Sequence, residues 1–180
     1  MKILGLVGWS GAGKTTLLTA MLPWLVARGL SVSTVKHAHH GFDIDHPGKD
    51  SHRHRVAGAR EVMVASGDRW ALLHETRGEP DGLADLLARL SPVDLVLVEG
   101  FKSQCRVKIE VFRPSLGKPA LWPDDPDIVA VASDAPLEVG RRPLPDVTLL
   151  DVADPGLIAA WAWRHLAASG PANVALQGAA

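Results

Sequence analysis

One cysteine, Cys105, is all the thiol chemistry this chain carries. No internal disulfide framework can form, and a lone thiol fits a reducing compartment. Long hydrophobic runs are missing as well. With no stretch of about 18 apolar residues, no membrane-spanning helix is expected. The apolar N-terminus is too short for a secretory leader and runs straight into a glycine-rich motif, so a cytoplasmic protein is expected. Neither sign of charge is in excess. The 19 basic and 20 acidic residues leave a net charge of −1, so no global field draws the chain to nucleic acid or to a membrane. Tyrosine is absent while tryptophan occurs six times; no function follows from that imbalance. What remains is an ordinary globular balance, 47% apolar and 22% charged. It supports one domain with a full core, expected over residues 1–169, followed by a flexible tail over 170–180.

What is present is a phosphate-binding motif. Gly8-Trp9-Ser10-Gly11-Ala12-Gly13-Lys14-Thr15 fills every position of the pattern G-x-x-x-x-G-K-[ST]. Its context is also right. Ile3 to Val7 reads as a short buried strand, and Thr16-Leu17-Leu18 opens a helical pattern. Glycines let backbone N–H groups converge on phosphate oxygens, and the helix N-terminus adds a favourable dipole. Lys14 is placed to reach the outer phosphates and the Thr15 hydroxyl to join a Mg²⁺ shell. A chance glycine-rich turn would not be bracketed by a strand and a helix.

Further along, Leu17, Leu18, Met21, Leu22, Leu25 and Val26 recur at helical spacing until Gly29. Pro23 falls inside that helix and removes one hydrogen bond or kinks it. Ser31 to Lys36 reads as a second strand, which makes a parallel crossover. Residues 37–60 then carry six of the eight histidines and little regular pattern. They read as a long loop and a short helix from about Ser51 to Ala59. Glu61–Ala65 and Trp70–His74 read as a hairpin around Ser66-Gly67-Asp68-Arg69. Asp81 caps a helix with Leu83, Leu86, Leu87 and Leu90 on one face. Val93 to Val98 is an apolar run closing at Glu99, the pattern of a buried parallel strand with a carboxylate at its end. Residues 106–113 alternate and read as a half-exposed strand, with Lys108, Glu110 and Arg113 opposite the apolar face. Residues 114–127 read as loop. Ile128 to Ala132 is another buried strand, ending at Ser133-Asp134, and Val147 to Leu150 is a candidate last strand. Asp154-Pro155 starts a final helix with Leu157, Ile158, Trp161 and Leu166 on its apolar face. The fold class is α/β, a mainly parallel sheet flanked by helices with a small hairpin insertion.

Thr15 and Glu99 are the candidate Mg²⁺ residues, directly or through water. The histidines suggest a transition metal, yet His37, His39 and His40 share no helical spacing and no cysteine joins them, so no ligand geometry is implied. Lys49, His52, Arg53, His54 and Arg55 form a local basic patch that suits an anionic partner better. Cys105 reads as a small core residue. Asp134 is a candidate reader of guanine, because a carboxylate accepts from both N1–H and the exocyclic amino group. A plain turn cap is the competing role for it.

Three stretches, GWSGAGKTTLL, VKHAHHGFDIDHPGKDSHRHRVAGA and DLVLVEGFK with KIEVFR, resemble the MobB family. These are GTP-binding proteins of molybdopterin-guanine dinucleotide synthesis. The likeness runs from about Lys2 to Arg113 and weakly onward. It implies a P-loop NTPase fold, a homodimer and a slow GTPase. It also implies work on molybdopterin beside MobA, the guanylyltransferase. In this resemblance Ser10, Gly11, Ala12, Gly13, Lys14, Thr15 and Thr16 bind the GTP phosphates, and Glu99 serves Mg²⁺. Lys49, Arg53 and Arg55 are the candidates for the pterin or the partner. No N-K-x-D tetrapeptide, the usual guanine-reading motif, occurs. Two other classes fit parts of the chain: a metallochaperone-type GTPase for nickel or zinc, and a P-loop small-molecule kinase.

Overall fold

The computed structural model describes residues 1–38, 41–136 and 147–168. The expected tail, residues 170–180, lies outside them, as do His39 and His40. The chain divides into two compact units, Ala38–Gly82 and the remainder.

The larger unit holds β1 (Lys2–Val7), α1 (Lys14–Val26), β2 (Val32–Lys36), and then α3 (Leu83–Ala88), β5 (Leu95–Glu99), β6 (Lys108–Phe112), β7 (Ile128–Ser133), β8 (Thr148–Asp151) and α4 (Pro155–Ala168). The smaller unit holds α2 (Asp50–Val56) and the antiparallel pair β3 (Glu61–Ala65) and β4 (Trp70–His74). The six strands of the larger unit form one sheet in the order β2-β5-β1-β6-β7-β8, and every pairing is parallel. This is the mainly parallel, helix-flanked sheet read from the sequence. No helix among the described residues is long and apolar enough to cross a membrane.

Strand alternation sorts the core onto two faces. Leu4 and Leu6 of β1 join Leu95 and Leu97 of β5 against α1 and α4. Ile3, Val96 and Val98 face the other way, against Leu83 and Leu87 of α3 and against Cys105. An all-parallel sheet must be covered on both sides, and these helices do that. Cys105 is fully buried, and burial pushes its thiol up to about 11. That is the core role read for it. The strand order reverses beside β1, where an open α/β sheet leaves a crevice at the C-terminal strand ends.

Three readings need correction. The charged residues of β6 do not face water: Lys108 is 1% exposed and Glu110 0%. Loops on either side of β6 fold over the face that carries them. The Lys108 Nζ donates to the Lys102 carbonyl at 2.7 Å and to Asp125 at 2.6 Å. Glu110 accepts the N–H groups of Leu121 and Trp122 at 2.9 Å. Buried charge is tolerated because each ion is paired or hydrogen-bonded. Burial raises the Glu110 carboxyl above its usual range, against the opposing pull of those N–H groups. The second correction concerns helix faces. Val26 and Leu157 are exposed, while Ala159 and Ala162 fill the buried stripe of α4. Third, α2 is shorter than expected, ending at Val56 instead of near Ala59. The capping signal before α4 holds: the Leu157 N–H donates to Asp154 Oδ1 at 2.8 Å.

Candidate phosphate and metal site

β1 delivers the chain to the crevice, and residues 8–13 turn it into α1. Gly8 sits at φ 142°, and a Cβ there would lie 2.4 Å from the Val111 carbonyl oxygen. Only glycine fits so close to a neighbouring strand. Ala12 is buried in the core beneath the loop, which anchors it from below. Gly13 is the left-handed residue before α1, and no side chain caps the helix. The first helical bond runs from the Leu17 N–H to the Gly13 carbonyl. The N–H groups of Lys14, Thr15 and Thr16 are therefore orphan donors at the positive end of a helix of 13 residues. Lys14 curls back over the loop, its Nζ 3.1 Å from the Gly8 carbonyl and 3.0 Å from that of Trp9. Burial lowers its ammonium below the ordinary lysine range; Glu99 opposes the shift, and Lys102 and Lys36 add to it. Ser10, Gly11, Thr15 and Thr16 are at the mouth of the loop, and all four are exposed.

The sheet brings Glu99 to the same place. β5 pairs with β1, and Leu6 is in register with Glu99. The Thr15 Oγ1 lies 2.9 and 2.8 Å from the two Glu99 carboxylate oxygens. Lys36, the last residue of β2, completes the group. Its Nζ is 3.4 Å from Thr15 Oγ1 and 3.4 Å from Glu99 Oε1. A hydroxyl and a carboxylate at hydrogen-bond distance are hard oxygen donors of the kind Mg²⁺ takes, so the residues present fit that ion. Nothing in the local pattern of Lys36 marks it for the site; only the strand order does.

On the other side of β1 stands a second residue that no local pattern marks for the site. Arg113, just past β6, donates from Nε to the Ala12 carbonyl at 2.9 Å and from Nη1 to Asp134 Oδ2 at 2.9 Å. Asp134 follows β7 and lines a cavity of about 310 Å³ with Ser133, Ala135, Pro136, Leu150 and Asp151. Trp9 is fixed as well: its indole N–H donates to the Pro119 carbonyl at 2.7 Å, with Lys102 and Lys118 over its ring.

The basic patch belongs to the smaller unit. Arg55 is turned into a carboxylate cage, bonded to Asp43 and Glu75 with Asp45 beside it. Lys49 and Arg53 are exposed, and Arg53 lies 3.7 Å from Asp50. His37 packs against Phe101 in the larger unit, ring centroids 4.7 Å apart and planes tilted by 47°. Among the described residues, no three His, Cys, Asp or Glu side chains are grouped to hold a metal.

Known proteins share this fold. A family model described as "Molybdopterin guanine dinucleotide synthesis protein B", MobB, matches residues 3–134. A molybdopterin-guanine dinucleotide biosynthesis adapter protein of Escherichia coli K12 is 46% identical over 158 residues, covering 86% of this chain and 87% of its own length. Its counterpart in Haemophilus influenzae is 44% identical, covering 84% and 82%. Among solved structures, a molybdopterin-guanine biosynthesis protein B aligns at TM-score 0.69 and 29% identity, over 91% of this chain and 99% of that one. A MobB homologue from Bacillus stearothermophilus aligns at TM-score 0.64 and 27% identity, over 93% and 99%. The family match spans the phosphate loop, Lys36, Glu99, Arg113 and Asp134 alike, and the chain belongs to the MobB family.

Proposed function

We propose that the chain is a GTP-binding adapter that assists the guanylation of molybdopterin to molybdopterin-guanine dinucleotide, with at most a slow GTPase activity of its own. The observation that carries this reading is the Thr15 hydroxyl set against both Glu99 oxygens, at the mouth of an intact phosphate loop. Ser10 to Thr16 hold the phosphates by backbone donors, and Lys14 neutralises the outer ones. Thr15 and Glu99 hold Mg²⁺, which screens charge between the phosphates when bound. Asp134 reads the base from the cavity beside β7. The working state is a homodimer in the cytoplasm, beside a guanylyltransferase of MobA type. Residues 1–169 act as one nucleotide-binding domain into which the smaller unit is inserted. Family membership gives no support to the metallochaperone or kinase readings.

The basic patch divides by role. Lys49 and Arg53 meet the anionic pterin or the partner enzyme, while Arg55 holds the loop that presents them. Titration of GTP and ATP, with and without Mg²⁺, tests the nucleotide reading: GTP is expected to bind more tightly and to depend on Mg²⁺. Equal affinity for both nucleotides would refute the base assignment. The double variant Lys49→Ala, Arg53→Ala is expected to lower stimulation of a purified guanylyltransferase by about tenfold, from two lost charge-assisted contacts near the surface. GTP affinity should hold. Full stimulation by that variant would remove the patch from the reading.

A further inference from the structure

We infer that Arg113 is the positioning residue for base choice, a strut that locks Asp134 against the phosphate loop. The inference rests on Asp134 reading the base. No N-K-x-D motif is present, and the sequence neighbours of Asp134, Ser133 and Ala135, carry no charge. The cation held against this carboxylate comes from the end of another strand.

The guanidinium is fixed at both ends. Its Nε–H reaches the carbonyl of Ala12, a core residue that cannot yield, and its Nη1 reaches Asp134 Oδ2. Its third nitrogen packs beside Gly13, 3.4 Å from where a Cβ on that glycine would stand. A guanidinium is a rigid planar fork, so anchoring one edge aims the other. Asp χ2 is otherwise a broad torsion. Asp134 is 35% exposed in its side chain, so a free carboxylate there could turn out to water.

That escape is what Arg113 prevents. With guanine in the cavity, a held carboxylate meets the N1–H and amino donors without first paying for its own orientation. With adenine, the same carboxylate faces an acceptor and cannot swing away, so the mismatch is felt in full. Arg113 thus widens the GTP-to-ATP ratio from both sides. Because its anchor is the Ala12 carbonyl, base reading and phosphate-loop shape are mechanically joined.

The test is the GTP-to-ATP affinity ratio by titration calorimetry at fixed Mg²⁺, for wild type, Arg113→Met, Arg113→Lys, Asp134→Ala and the Arg113→Met, Asp134→Ala pair. Arg113→Met is expected to lower the ratio by about tenfold, the worth of one charged hydrogen bond. Lysine cannot span both acceptors, so Arg113→Lys should recover part of the ratio and remain about threefold below wild type. The double variant should fall no further than Asp134→Ala alone, since one residue acts through the other. Inorganic triphosphate should lose less affinity than GTP does. If Arg113→Met does not melt cooperatively, Arg113→Lys decides, and a wild-type ratio there overturns the proposal. So does an unchanged ratio in a folded Arg113→Met while Asp134→Ala collapses it. So does an equal loss for GTP, ATP and triphosphate, which would make Arg113 a prop for the loop alone. A ratio untouched by Asp134→Ala would show that the underlying base reading has failed, and the strut with it.

Discussion

Lys14→Ala is expected to weaken GTP binding by about a hundredfold or more, with little change in melting. Two charge-assisted contacts to phosphate oxygens are lost, each worth about 1.5–3 kcal/mol, and a hundredfold is about 2.7 kcal/mol. The fold does not depend on this ammonium. Among the described residues it donates to the Gly8 and Trp9 carbonyls, backbone groups of the loop itself. Lys36 and Lys102 lie close enough to depress its proton affinity, so some positive field survives the substitution. They soften the loss without replacing it. Lys36 is already held by Glu99 and Thr15, and Lys102 sits over the Trp9 ring. Calorimetric titration beside a melting curve checks this. Wild-type affinity in a normally melting variant would sink the phosphate-loop reading.

What the sequence shows and what it hides divide along contact distance. The hairpin β3–β4 is legible to the residue, because two alternating runs and a four-residue turn are all local. The phosphate loop is legible for the same reason. Lys108 and Glu110 mislead because period-2 alternation says that two faces differ, not that one of them is wet. That face is closed by Lys102, Leu121, Trp122 and Asp125 from the loops on either side of β6, contacts that alternation within the strand does not encode. Arg113 is hidden by distance along the chain. Its partner Ala12 is 101 positions away, and Asp134 is 21. Lys36 closes on Glu99 only because β5 inserts between β1 and β2. The charge count near Arg55 is visible in the sequence; that three carboxylates turn it into a strut is not. Function therefore announces itself through the one local motif, while the residues around that motif are gathered by strand order.

Gly8→Ala is expected to abolish measurable GTP binding and to destabilise the fold, although it adds a single methyl group. Two penalties combine. At φ 142° an L side chain is strained, which costs about 1–3 kcal/mol. The new Cβ would also lie 2.4 Å from the Val111 carbonyl oxygen, a contact with backbone that no rotamer relieves. β6 must then draw away from β1 just where Val7 is in register with Glu110. Arg113 follows Val111 by two residues, so its bond to Ala12 moves as well. Overpacking of this kind adds about 1–3 kcal/mol. Gly29→Ala separates the two terms. Gly29 is at φ 77° with nothing within 4 Å of its Cβ position, so that variant should show the backbone strain alone, about 1–2 kcal/mol. Denaturant unfolding should rank Gly8→Ala well below Gly29→Ala, and only the former should lose GTP in titration. If the two variants unfold together and both bind GTP as the wild type does, the loop does not press on β6. The strut from Arg113 to Ala12 would then have no rigid anchor.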